Sequence, residues 1–208
     1  MDERKLQEIG SDLAYLRSLA EAGANGPDLG GRILAAAGVI FGTASLATWI
    51  ALSADGNVAP WAHLAIWLTA AALFVLSLAL IRARLKNLPG AQSHQNKAVG
   101  GVWAMVGLAI FVLWAAFLVA SWRLQVWEIM SLFPSVIFAL YGAGWGVAAR
   151  IFKVGWVRYV AMGSFAAAIA TAWLAGQDLQ HLISAAGLIA FAAIPGFALL
   201  RREPVRAS

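Results

Sequence analysis

The chain has 208 residues, of which 62% are apolar and only 12% charged, with a net charge of +5 and no cysteine. A soluble domain carries about 25% charge and about 45–50% apolar residues, so this much apolar surface exceeds what one soluble core can bury, and lipid is expected as a second solvent. The lack of cysteine excludes disulfides, thiolate metal sites and cysteine nucleophiles. The opening MDERKLQEIGSDL contains no apolar run and does not read as a secretory signal.

Residues 1–28 form the first unit. Leu6, Ile9, Leu13 and Leu16 follow a 3-4-3 spacing, the narrow seam of an amphipathic helix. Gly23 is a stop signal and Asn25-Gly26-Pro27 a linker. The segment is net acidic. An anionic cytoplasmic leaflet would repel it, so the seam is expected to meet protein (this chain's own basic loops, a separate partner, or a second copy), with disorder the remaining alternative.

Residues 29–203 form the second unit, an all-α integral membrane domain. Crossing the hydrocarbon core takes about 20 apolar residues in a helix. Such segments fall at 31–52, 60–81, 99–122, 126–149, 154–176 and 179–200, six spans arranged as three tight hairpins, with a short tail at 204–208. The runs are continuously apolar and do not alternate, which favours helices over barrel strands.

With both termini in the cytoplasm, fourteen of the fifteen Lys and Arg residues fall on the cytoplasmic side, Arg123 being the exception. The positive-inside rule then sets the topology. The expected location is a bacterial inner membrane. Of the ten tryptophans, Trp49, Trp61, Trp122, Trp127 and Trp173 are expected at the outer interface, and Trp103, Trp145 and Trp156 at the inner one. Trp67 and Trp114 fall deeper and are expected to pack between helices. The outer loops SADGNVA, RLQ and QD are very short.

Within the spans, Gly38-x-x-x-Gly42 and Gly142-x-x-x-Gly146 offer flat stripes for close helix packing, within one chain or between chains. Pro134 and Pro195 each remove a backbone donor and are expected to kink spans four and six. No Asp, Glu, Lys or Arg lies in the middle third of any span, which argues against ion-coupled pumping.

The sharpest constellation is His63, Glu128 and His181, all near the outer ends of even-numbered spans. Two imidazoles and a carboxylate suit a divalent metal, and His63 with His181 also suits axial ligation of a b-type haem. Interfacial polar decoration is the plainer account, and no cofactor is expected. No phosphate loop, dinucleotide fingerprint, zinc-protease motif or nucleophile elbow occurs.

The leading functional expectation is a non-enzymatic membrane subunit or regulator that engages a partner through its N-terminal helix. A small transporter or channel for a small or apolar solute is the alternative, and a haem- or metal-binding membrane protein a third. The bilayer, a protein partner or self-association are the expected contacts, and nucleic acid is not.

Overall fold

The computed structural model describes residues 12, 29–55, 60–85, 94–152 and 154–201, and these are helical apart from short turns. The seam residues Leu6, Ile9, Leu13 and Leu16 lie outside the described residues. Helix α1 runs Leu29–Asp55, α2 Pro60–Leu85 and α3 His94–Leu124. A 3₁₀ segment, Trp127–Leu132, leads into α4, Phe133–Phe152, followed by α5, Gly155–Trp173. The last rod is composite: α6, Leu179–Leu188, passes through a π-helical turn, Ile189–Ala193, into α7, Ile194–Leu200.

Among the described residues, five stretches are long and apolar enough to cross a membrane: Gly30–Ala54, Trp61–Arg84, Ala98–Leu124, Trp127–Ile151 and Leu179–Leu200. Helix α5 stands apart. It covers part of the expected span 154–176, but Arg158, Tyr159 and its terminal tryptophans lower its apolarity. It also packs within the body. Val157, Ala161, Ser164, Ala167 and Thr171 form a buried stripe at 3-4 spacing, and the hydroxyls of Ser164 and Thr171 donate to their own helix at Val160 O (2.8 Å) and Ala167 O (2.8 Å).

The body is built where small residues allow backbones to meet. Helix α1 lies antiparallel to the α6–α7 rod. A Cβ at Gly38 would fall onto the backbone nitrogen of Ala193, and one at Gly196 would stand 2.5 Å from Ala35 N and 2.7 Å from Gly31 O. Gly42 faces Ile189 and the carbonyl of Ala185. Close approach of this kind gains dispersion contact where lipid offers no hydrophobic drive between helices.

A second lock joins α4, α5 and the last rod in a ring. The Phe165 ring of α5 covers Gly142 of α4, the Phe191 ring of the π turn covers Gly163 of α5, and the Phe138 ring of α4 covers Gly187 of α6. Each helix thus supplies one ring and one glycine. The neighbouring stripe residue Gly146 has open space at its Cβ position, so the 142/146 pair is loaded at one end only.

Helices α2 and α3 lie at the edge of this body. α2 packs along α1, and α3 along α4 with a lighter contact on α1. Almost none of either apolar stretch is buried. Trp67 and Trp114 are exposed on these helices, contrary to the expectation that they pack between helices; the Trp114 ring lies near that of Phe111, at 6.1 Å between ring centroids. The cause is that α2 and α3 have helices on one side only.

Tryptophan placement separates the two ends. Trp61, Trp122, Trp127 and Trp173 are all exposed at the end that carries the α1–α2, α3–α4 and α5–α6 links, hereafter the short-loop end. Trp103 and Trp145 instead belong to a buried cluster with Tyr141, with Trp103–Trp145 centroids 5.0 Å apart and Trp103–Tyr141 5.7 Å. They fill the core.

Both prolines fall in the first turn of a helical segment. Pro134 is the second residue of α4, where its missing N–H costs nothing because the first turn of a helix has no internal acceptors for its donors. Pro195 is the second residue of α7, two residues beyond the π turn, which Ile194 N closes by donating to Ile189 O. The ladder widens ahead of the proline, as a π bulge does.

Candidate functional site at the short-loop end

Two described turns lie at this end, one after α3 and one between α5 and α6. Helix α3 stops through Gln125, a non-glycine residue at φ 56°, with Val126 N donating to Ser121 O at 3.1 Å. That bond closes a Schellman-type cap. The α5–α6 turn passes through Gly176 at φ 80°, a backbone state that costs a side-chain-bearing residue about 1–2 kcal/mol.

Gln180, 3% exposed, ties these parts together. Its side-chain amide donates to Ser131 O at 2.5 Å and to Thr171 O at 3.0 Å. Thr171 lies in the last turn of α5, where carbonyls lack helical partners, so one amide group links the 3₁₀ segment, the end of α5 and the start of α6. Sequence reading passed over Gln180. Its only signal was an uncharged amide just inside an apolar run, beside the more conspicuous His181.

The next residue carries the site. His181, half-buried in the first turn of α6, meets His63 in the first turn of α2, with ring centroids 5.9 Å apart and planes at 68°. The two imidazoles come from helices widely separated in the chain. Among the described residues neither ring makes a hydrogen bond. Asp178 precedes His181 by three residues, on the same helical face. It holds the N-cap position of α6 yet its carboxylate makes no capping bond.

Glu128 is not part of this arrangement. It lies exposed in the first turn of the 3₁₀ segment, where a carboxylate complements the helix end. Among the described residues no group of three or more His, Cys, Asp or Glu side chains is assembled as a metal cage. Of the expected trio, the fold therefore brings together the two histidines and leaves the glutamate aside.

Thr48 on α1 is fully buried and its hydroxyl has no partner among the described residues. The register set by Gly38 against Ala193 and Gly42 against Ala185 places Thr48 level with the first turns of α6. Ser184, also buried, has an unpartnered hydroxyl as well. This differs from Ser164 and Thr171, which satisfy themselves on their own helix.

No family model, curated protein or solved structure matches the chain.

Proposed function

We propose that this chain is a six-span protein of a bacterial inner membrane, with both termini in the cytoplasm, acting as a non-enzymatic subunit or regulator of a membrane assembly. The observation that carries the reading is the contrast between a locked body and two open helices. The α1–α7 seam is backbone against backbone, and glycines with phenylalanine rings interlock α4, α5 and α6. Gating by sliding would have to break those contacts. Helices α2 and α3 present long apolar faces almost free of internal packing, which is how a subunit offers itself to a neighbour within the bilayer. The acidic residues 1–28 are a second handle on the cytoplasmic side.

A transport reading draws less support. A proline-broken helix can turn freed carbonyls toward a solute, but here the Phe191 carbonyl is taken by Trp145 inside the core at 2.8 Å.

The test is purification from native membranes with photo-crosslinkers at Leu76 of α2 and Val112 of α3. The reading expects one recurrent protein adduct in stoichiometric amount, lost when residues 1–28 are deleted. Lipid adducts alone, unchanged by the deletion, would sink it.

A further inference from the structure

We propose that the His63 and His181 rings form a pH-sensitive latch between α2 and the body, closed while at least one imidazole is neutral and released when both carry a proton. The inference goes beyond the subunit reading and does not depend on it, although α2 bears one of the two open apolar faces on which that reading rests.

The rings meet edge to face with centroids 5.9 Å apart, each half-buried in the first turn of its helix. Two neutral imidazoles, or one neutral and one protonated, attract in this geometry, because the positive edge of one ring meets the π face of the other. Two imidazoliums are like charges at short range, in surroundings that screen less than bulk water, and they repel. The helices add to this. Both α2 and α6 begin at the short-loop end, so each ring stands at the positive pole of a helix dipole, where a second added charge is unfavourable.

Among the described side chains, the groups that act electrostatically on His181 are His63 from α2 and Asp178 from its own helix. Asp178 stands one turn away and travels with His181, so it offsets one proton's charge whether or not α2 is in place. It does not offset two. The other charged residues at this end are Asp55, the last residue of α1, Arg123 in the last turn of α3, and Glu128 in the 3₁₀ segment.

The two sides of the contact are held differently. α6 is fixed to α5 and to the 3₁₀ segment by Gln180, and its rod to α1 by the glycine seam. α2 lies at the edge, packed along α1, with almost none of its apolar stretch buried. Repulsion therefore moves the first turn of α2 and leaves α6 in place. With α2 displaced, each imidazole takes its proton independently; with α2 docked, the second proton is resisted. The displaced state binds more protons, so acidification through the ordinary imidazole range favours it. In the proposed topology this end faces outward, and acid on that side would change how α2 is presented within the bilayer.

The experiment uses the full chain in detergent. The chain has no cysteine, so Leu64→Cys with Leu179→Cys, both exposed positions close to the histidines in sequence, accept spin labels for a distance measurement by double electron–electron resonance. Spectra are taken at about pH 8 and about pH 5, on either side of the ordinary imidazole range. The expected result is one short distance at the higher pH and a longer one whose population grows at least about threefold at the lower. A pair across the seam, Val39→Cys with Phe197→Cys, should not change. His63→Phe keeps a ring at the contact without a titrating group and should hold the short distance at both pH values. An unchanged α2–α6 distance in the chain with both histidines, or a pH response that survives in His63→Phe with His181→Phe, overturns the latch.

Nitrogen NMR of isotopically labelled histidine tests the same point without cysteine variants or spin labels. The chain has three histidines. His63 and His181 should titrate as a coupled pair in two steps, and His63→Phe should turn the His181 titration into a single step, with His94 unaffected. Independent single-step titration of both rings in the native chain overturns the latch as well.

Discussion

Trp145 donates its indole N–H to the carbonyl of Phe191 at 2.8 Å, and Phe191 lies four residues before Pro195, which has no backbone N–H to offer it. A proline in a helix orphans the acceptor four residues before it. In an apolar core that orphan is costly. Here the π turn shifts the ladder by one residue, and an indole from α4 supplies the missing donor. Trp145 is fully buried, so this bond ties α4 to the last rod without water.

A double-mutant cycle tests that relationship. Trp145→Phe should destabilise the protein by about 1–3 kcal/mol, because a buried carbonyl loses its donor. Pro195→Ala restores a backbone N–H four residues after Phe191. In the Pro195→Ala background the Trp145→Phe cost should therefore shrink, giving a coupling of about 0.5–1.5 kcal/mol. Thermal unfolding in detergent, read at Tm for all four proteins, measures it. Strict additivity would show that the two residues act independently.

The helical rods were legible in the sequence because continuous apolarity, flanking arginines and short polar links are local properties. What joins the rods was not. Gly38 and Gly146 look alike in a chain with twenty glycines, yet one meets the backbone of Ala193 and the other meets nothing. Which glycine carries weight depends on what crosses it, and no spacing rule encodes that. The same holds for the candidate site. Hairpin logic places His63 and His181 at one end, and only the packing order around α1 makes α2 a neighbour of α6. Glu128 belongs to the 3₁₀ segment entering α4 and joins no group of three ligand side chains among the described residues.

The glycine contrast has a direct consequence. Gly38→Ala should destabilise severely, by about 3 kcal/mol or more, since two backbones must separate. Gly146→Ala should fall within about 0.5 kcal/mol of neutral or stabilise slightly through helix propensity. Fluorescence-detected size-exclusion after graded heating separates the two outcomes. Equal tolerance at both positions would mean that α1 and the last rod are not in backbone contact.

The interlocked rings give a graded series. A Cβ at Gly187 would stand 2.6 Å from the Phe138 ring, which is 1% exposed and has nowhere to go. A Cβ at Gly142 would stand 2.7 Å from the Phe165 ring, which is 44% exposed and can swing outward. Gly187→Ala should therefore cost about 1–3 kcal/mol and Gly142→Ala clearly less. Phe138→Leu added to Gly187→Ala should recover part of the loss, because the smaller side chain vacates the space the new methyl needs. If Gly142→Ala proves the more damaging of the two, the burial order of these rings is wrong.

Gln180 offers the last test, because it positions the histidine pair without belonging to it. Gln180→Leu keeps the bulk and removes both donors, leaving the carbonyls of Thr171 and Ser131 without that partner. Buried orphan carbonyls cost about 1–3 kcal/mol each, so Tm should fall. The local effect is the sharper one. With the clamp gone, the first turn of α6 should fray, and backbone amides at 180–184 should exchange with solvent faster than those of α7. Gln180→Glu would separate shape from donation: it is nearly isosteric, but an ionised carboxylate offers only acceptors to two acceptors, and its penalty should exceed that of leucine. If both variants exchange like the native chain at 180–184, the start of α6 is held by apolar packing and not by the Gln180 amide.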